Sequence, residues 1–234
     1  MRKSIYQNLE KMMVKYRDLV HVQTEENNEE FTVLDRIPSG YKAQMSDMRV
    51  FFGGKIIVRT EVAKRLKEVQ KKLFHYNSAL SLYVTYGYRS LEVQTKNFSQ
   101  QLQKMSYKFF PDPIDLYEET HRFIAVPTVG GHPTGGAVDV ILINRATKKM
   151  IDFGGKLYKF SKKDCYTFYP NITEQGKKNR MLLRSLMMES GFAPFDGEWW
   201  HFSYGDREWA YYYKQPYAFY EQKLYKEVKK NCII

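Results

Sequence analysis

Gly130-Gly-His-Pro-Thr-Gly-Gly-Ala-Val-Asp-Val-Ile-Leu-Ile143 joins a glycine-rich loop to an apolar segment, and the fold is predicted outward from it. Residues 137–143 are apolar apart from one aspartate, which predicts a buried β-strand. Because side chains alternate between the two faces of a strand, Asp139 would share a face with Ala137 and Ile141. A carboxylate on such a face is costly unless a cation or several hydrogen-bond donors satisfy it.

His132 lies among four glycines, where the backbone can approach a ligand closely. An aspartate capping the start of a strand and an ordinary loop histidine would explain this stretch equally well. A second polar motif, Glu198-Trp-Trp-His201, follows further along the chain. His132, Asp139 and His201 are residue types that hold zinc in catalytic sites with an open position. Neither motif is specific alone, but together they predict such a site.

Glu198 would then be a carboxylate that does not ligate the metal. Zinc lowers the pKa of a bound water to about 7. A neighbouring carboxylate can take that water's proton and pass it to a leaving amine, which is the role of a general base. In a regular strand Glu198 and His201 would face opposite sides, so this role requires Glu198 at the start of the strand or a bulge between the two residues.

Residues 80–86 alternate between apolar and polar side chains and predict a strand that ends at Gly87-Tyr88-Arg89. An arginine at a strand end can project into a cleft and stabilise the oxyanion that develops at a scissile carbonyl. The commoner role of such an arginine is a surface ion pair. Arg89 is therefore a candidate catalytic residue with a structural alternative.

Composition narrows the class of protein without fixing its activity. With 43% hydrophobic residues and 16% aromatic residues, the 234-residue chain can bury a sizeable core. The net charge of +11 favours anionic partners such as cell-wall polymers, nucleic acid or anionic lipid, and does not choose among them. Neither a signal peptide nor an apolar stretch long enough to span a membrane is visible, so we expect a cytoplasmic protein, with a periplasmic or wall-associated location left open.

The chain in order predicts an α+β fold with an antiparallel sheet and flanking helices. We expect a helical N-terminal appendage with an acidic linker over residues 1–40, a main domain over residues 41–215 and a basic C-terminal helix over residues 216–234. Further expected elements are two short strands around the glycine turn of residues 49–59, helices at 60–75, 91–105 and 174–190, a lid or substrate wall at 153–170, and a strand at 198–204.

Three motifs resemble those of zinc D-Ala-D-Ala dipeptidases of the vancomycin-resistance type, which belong to the zinc peptidases with the hedgehog/DD-peptidase fold. They are His132-x-x-Gly-x-Ala-x-Asp139, Glu198-Trp-Trp-His-Phe202 and Gly87-Tyr-Arg89. A weaker similarity extends from about Phe51 to Tyr213. The resemblance implies an antiparallel-sheet zinc peptidase domain whose site residues are His132, Asp139 and His201 as Zn2+ ligands, Glu198 as general base and Arg89 on the transition state.

The sequence departs from this family at positions that bear on the substrate. Gly130 replaces a serine two residues before the first ligand, and Tyr86 replaces the aspartate of Asp-Gly-Tyr-Arg. The Gly-x-x-Phe-Asp segment, which in the family helps to hold the substrate's free amine, is not recognisable in residues 154–159. We therefore expect hydrolysis of a D-Ala-D-Ala-type dipeptide, with a muropeptide carboxypeptidase or endopeptidase as the alternative. A non-catalytic protein that binds an anionic partner is less favoured, because binding does not need Glu198, and nucleic acid is not an expected partner.

Overall fold

A computed structural model describes residues 13–40, 47–107, 112–159 and 163–233. The helices of this part of the chain are α1 Tyr16–Leu19, α2 Arg49–Phe52, α3 Thr60–Tyr76, α4 Leu91–Met105, α5 Pro113–His121, α6 Glu174–Met188, α7 Arg207–Tyr212 and α8 Tyr225–Asn231. The strands are β1 Gln23–Thr24, β2 Phe31–Val33, β3 Ile57–Arg59, β4 Leu80–Tyr86, β5 Ala137–Asn144, β6 Ala193–Pro194, β7 His201–Ser203, β8 Tyr217–Ala218 and β9 Cys232–Ile233. None of the described helices is long and apolar enough to cross a bilayer.

The main sheet has four antiparallel strands in the order β4-β5-β7-β6, which confirms the predicted α+β class. Strand β5 lies at its centre, and its residues 137–143 are all buried. In this register Asp139 is opposite Tyr86 of β4 and opposite His201 of β7. The pairing of β4 with β5 shifts between Val84 and Tyr86, which is the irregularity of a β-bulge. The sheet therefore brings three polar side chains from separate segments to one place.

Two amphipathic helices, α3 and α6, contribute the apolar faces of the main core. Helix α3 buries a stripe spaced three and four residues apart, the spacing that places side chains on one helical face; its members are Val62, Ala63, Leu66, Val69 and Leu73. Thr173 caps the N-terminus of helix α6, because its hydroxyl accepts the N–H of Gly176. Gly191 follows the end of the helix with φ +85°. Both helices were predicted from these patterns, and both are confirmed.

The acidic run of residues 24–30, predicted to be a linker, is packed against the rest of the protein, so that prediction is wrong. Strand β1 pairs with β8, and β2 pairs with both β3 and β9. Glu26 forms an ion pair of 3.0 Å with Arg59, whose side chain is only 1% exposed. One carboxylate of this segment thus pairs with a buried arginine from strand β3. The predicted helical appendage is described only from residue 13 onward and contains the short helix α1 Tyr16–Leu19, and residues 1–12 lie outside the described part of the chain.

Two further predictions are corrected. The first predicted strand of residues 49–59 is helix α2, which ends at Gly53 in the left-handed region with φ +61°. The C-terminal helix is shorter than the predicted residues 216–234, because the chain first forms β8 and the helix spans only Tyr225–Asn231. Ala218 and Tyr220 are fully buried against the main domain, so this segment is packed into the domain instead of extending from it. The domain boundaries at residues 40 and 215 stay predictions.

Candidate metal centre

Asp139 and His201 face each other across the pairing of β5 with β7. Nδ1 of His201 lies 3.0 Å from Oδ1 of Asp139, and both side chains are buried. A directly opposed pair of residues in antiparallel strands has its side chains on the same face of the sheet. The register of two strands therefore places a carboxylate against an imidazole.

His132 reaches the same carboxylate from the glycine-rich loop. It starts the 3-10 turn His132–Thr134, and Gly135 ends that turn with φ +76°, a conformation that favours glycine. Nδ1 of His132 lies 2.9 Å from the carbonyl oxygen of Gly87. Since a carbonyl oxygen only accepts, Nδ1 carries the proton and the lone pair of the neutral ring is on Nε2. Nε2 lies 3.5 Å from Oδ1 of Asp139.

The three predicted ligands form one cluster. One donor atom from each of His132, Asp139 and His201 lies within 4.8 Å of the others. Two imidazole nitrogens and one carboxylate oxygen are a zinc-type donor set that leaves a fourth position open. The tautomer of His132 fits the same role, because its Nε2 lone pair faces the other two donors. These residues could hold a zinc ion.

Burial and contacts among these side chains shift the pKa values of Asp139, His132 and His201. Burial alone would raise the pKa of Asp139, but the two imidazoles lower it well below its usual range. Burial lowers the pKa of His132. Burial would lower the pKa of His201 too, yet hydrogen bonds with Asp139 and Glu208 raise it well above its usual value. The carboxylate is thus ionised, and the metal-free His201 ring holds a proton.

Glu198 lies in a turn immediately before β7, and not within a regular strand. The N–H of His201 donates to the carbonyl oxygen of Glu198 at 3.0 Å, which closes this turn. This is the placement at the start of the strand that a general base at this position needs. Burial raises the pKa of Glu198 to about 7, and the nearby carboxylates of Asp139 and Glu208 act in the same direction.

Arg89 is buried, with 6% of its surface exposed, so the surface ion pair is excluded. Its Nε donates to the hydroxyl of Tyr86 at 3.0 Å, and Nη1 donates to Gln94 at 2.9 Å. The carboxylate of Asp47 lies 3.5 Å from Nε of Arg89 and accepts a hydrogen bond from the hydroxyl of Tyr86. Tyr86 thus links Arg89 to a carboxylate from a different loop. Its ring meets that of His132 edge to face, with centroids 5.0 Å apart.

Three residues of the site carry no recognisable signal in the sequence: Asp47, Tyr158 and Glu208. Asp47 belongs to a loop without a recognisable pattern, and a glutamate on a short helix such as α7 is ordinarily solvated. Tyr158 lies in the predicted substrate wall, and its hydroxyl is 2.6 Å from Oγ1 of Thr85. Burial raises the pKa of Tyr158 well above its usual value, so this hydroxyl stays neutral. A positive φ of +59° at Tyr158, uncommon for a bulky residue, could have been found only in the structure.

The sequence is similar to that of D-alanyl-D-alanine dipeptidases from two bacteria. D-alanyl-D-alanine dipeptidase of Synechocystis is 27% identical over 192 residues, which cover 72% of this chain and 77% of the relative. The Escherichia coli D-alanyl-D-alanine dipeptidase is 29% identical over 104 residues, or 44% of this chain and 49% of that protein, so the match spans about half of its length.

Solved structures give more distant matches. VanYB in complex with D-alanine-D-alanine matches with a TM-score of 0.42 and 15% identity, over 76% of this chain and 85% of that chain. The LdcB LD-carboxypeptidase matches with a TM-score of 0.44 and 16% identity, over 88% of this chain and 81% of that chain.

The profile of a peptidase family described as D-Ala-D-Ala dipeptidase, M15, matches residues 48–223. That range is about three quarters of the chain and includes the three clustered side chains, Glu198 and Arg89. The chain therefore belongs to the D-Ala-D-Ala dipeptidase family and is a zinc metallopeptidase with the antiparallel-sheet fold that the sequence predicted.

Proposed function

We propose that this peptidase hydrolyses the peptide bond of a D-Ala-D-Ala-type dipeptide, with His132, Asp139 and His201 as zinc ligands. The observation that carries the proposal is the convergence of these three side chains on one point, with Glu198 in the turn that leads into His201. Membership of the D-Ala-D-Ala dipeptidase family supports the choice of substrate.

Glu198 is the general base in this proposal. Zinc bound by the cluster would acidify a water molecule and polarise the scissile carbonyl. Glu198 accepts the proton of the attacking water and delivers it to the amine that leaves. Burial raises the pKa of Glu198, so this carboxylate takes up a proton more readily than an exposed glutamate, which suits a group that accepts and then delivers a proton.

Arg89 supplies the positive charge for the oxyanion. Its guanidinium is buried and is held by Tyr86 and Gln94. Among the residues that the structure describes, none accepts a hydrogen bond from Nη2 of Arg89. A fixed cation in a site shielded from water stabilises developing negative charge more than a mobile surface arginine would.

A second candidate, a carboxypeptidase or endopeptidase acting on muropeptides, is favoured by one observation. A free dipeptide carries an ammonium group close to the scissile bond, and this group needs an anionic acceptor. In residues 151–159 the sole carboxylate is that of Asp152, which accepts from Thr173 and from the N–H of Gly154. Tyr158 in the same segment presents a neutral hydroxyl. A longer peptide has no ammonium group at this place.

The two candidates are separated by the kcat/KM of the zinc-loaded protein on three substrates. These are D-Ala-D-Ala, its N-acetylated form, and a muropeptide pentapeptide that ends in D-Ala-D-Ala. Preference for the free dipeptide supports the first candidate, whereas preference for the acetylated dipeptide or the pentapeptide supports the second. Glu198→Gln protein, purified in the same way, controls for contaminating peptidases. Absence of turnover on all three substrates would contradict both candidates.

A further inference from the structure

We propose that Glu208 is a positioning residue of the metal centre, which holds the ring of His201 with Nδ1 directed at the metal. Oε2 of Glu208 lies 3.4 Å from Nε2 of His201, on the side of the ring away from Asp139. The inference rests on the proposed assignment of His201 as a zinc ligand. It adds a residue outside the ligand set whose substitution changes the affinity for zinc.

The two nitrogens of His201 have different tasks. Nδ1 lies 3.0 Å from the carboxylate of Asp139, among the clustered donor atoms. A neutral imidazole has one N–H and one lone pair, so the nitrogen that carries the proton cannot ligate a metal. When Nε2–H donates to Glu208, the lone pair is on Nδ1. The carboxylate of Glu208 thus selects the tautomer that can bind zinc and raises the basicity of the ligating nitrogen.

Glu208 is itself held in place. The hydroxyl of Ser203 donates to the same oxygen, Oε2, at 3.2 Å. Ser203 follows His201 by two residues on β7, so the two side chains lie on one face of the strand. Asp206 caps helix α7 by accepting the N–H of Trp209 at 3.0 Å, which fixes the first turn that carries Glu208. The side chain of Glu208 is 12% exposed, so solvent competes little for its oxygens.

The glycine before His132 makes room for this arrangement. A Cβ atom on Gly131 would lie 3.2 Å from Oγ of Ser203 and 2.2 Å from Oδ2 of Asp206. The second distance is shorter than any real contact of a Cβ atom. Part of the glycine-rich motif thus accommodates the polar groups behind His201, in addition to shaping the loop around His132.

The test compares the zinc affinity of Glu208→Ala, Glu208→Gln and the wild-type protein by competition with a chelator. We expect Glu208→Ala to weaken zinc binding by on the order of 10- to 100-fold, as loss of such an outer carboxylate does in other zinc proteins. Glu208→Gln keeps the size of the side chain and one acceptor oxygen, so its loss should be smaller. Glu118→Gln is the matched control, because the carboxylate of Glu118 accepts from the N–H groups of Tyr16 and Arg17 and not from His201. The zinc affinity of this variant should equal the wild-type value.

A second measurement reports on the ring itself. In zinc-loaded wild-type protein the Nε2 proton of His201 should be visible by NMR and slow to exchange, and in Glu208→Ala it should exchange rapidly. Unchanged zinc affinity in both Glu208 variants, while His201→Ala loses zinc, would overturn the role of Glu208 and leave the ligand assignment intact. Zinc retained by His201→Ala would instead overturn the ligand assignment. If Glu208→Ala does not fold, the zinc affinity of Glu208→Gln is compared with that of Glu118→Gln. Weaker binding in Glu208→Gln supports the positioning role, and equal binding overturns it.

Discussion

The backbone N–H of Arg89 donates a hydrogen bond to the carbonyl oxygen of His132, at a distance of 3.2 Å. In return, the ring of His132 donates from Nδ1 to the carbonyl oxygen of Gly87 at 2.9 Å. The segment that follows β4 and the loop that precedes β5 are thus joined twice within a few residues. This joins the buried cation to one of the clustered metal-type donors, so the two groups are fixed relative to one another.

Arg89→Ala should fold and bind zinc normally but lose turnover. A contact with an oxyanion is made in the transition state, so we expect kcat to fall by about 100- to 1,000-fold. Steady-state kinetics together with the zinc content of the purified variant check this expectation. Arg145→Ala removes a charge from an exposed turn and serves as the control for net charge. Turnover at the wild-type rate in Arg89→Ala would leave the arginine with a purely structural role.

His132→Ala should reduce bound zinc from about one ion per chain to a small fraction of that, because three protein ligands hold a catalytic zinc. Elemental analysis after dialysis against a weak chelator measures the stoichiometry. The control is His75→Ala, since His75 is exposed at the end of α3, with its Nδ1 2.8 Å from the carbonyl oxygen of Lys71. If His132→Ala and the wild-type protein bind equal amounts of zinc, His132 is not a zinc ligand.

Strand β4 and helix α3 were predicted from the spacing of apolar residues within their own segments. The alternation of residues 80–86 gave the bounds of β4, and the apolar stripe after Thr60 gave α3 to within a residue. Asp139 was informative because a carboxylate on an apolar strand face is costly without a partner. His132 and His201 were informative because two separate motifs together supply the residue types that hold zinc. Fold class and metal-type cluster therefore follow from short-range pattern and side-chain chemistry.

What the sequence did not predict depends on contacts between distant segments. An acidic run such as residues 24–30 has the composition of a solvated linker, and only the tertiary structure shows that Arg59 lies against it. Arg89 has the same local pattern whether it is on the surface or buried. Asp47 and Glu208 contact the site from a loop and from the first turn of a short helix, where charged residues are common for other reasons.

Glu26→Ala tests the corrected role of the N-terminal segment. The variant leaves Arg59 buried without its carboxylate partner, and such a loss typically costs about 3–5 kcal/mol of unfolding free energy. Chemical denaturation measures the change. Glu25 is exposed and adjacent, so Glu25→Ala should unfold like the wild-type protein. If both variants have the same stability, the segment contributes little to the fold despite its pairing.

The affinity for zinc should rise with pH. Burial would lower the pKa of His201, but Asp139 and Glu208 hold it well above its usual value, so the metal-free ring is protonated at neutral pH. Zinc binds the neutral ring and must displace that proton. Below the pKa of His201, affinity should increase about tenfold per pH unit for one displaced proton, and above that pKa it should level off. Calorimetry in buffers of different ionisation enthalpy counts the released proton, and zinc binding without proton release is incompatible with this charge state.

Glu198→Gln should separate catalysis from metal binding. Glu198 lies in the turn before β7 and is not one of the three clustered donors, so the variant should retain zinc at the wild-type stoichiometry. The amide cannot accept the proton of the attacking water, and we expect kcat to fall by roughly two to four orders of magnitude. The comparison with His201→Ala is decisive, since loss of a ligand removes zinc and activity together. Loss of zinc from Glu198→Gln would show that Glu198 supports the metal, and retained activity would show that another group takes the proton.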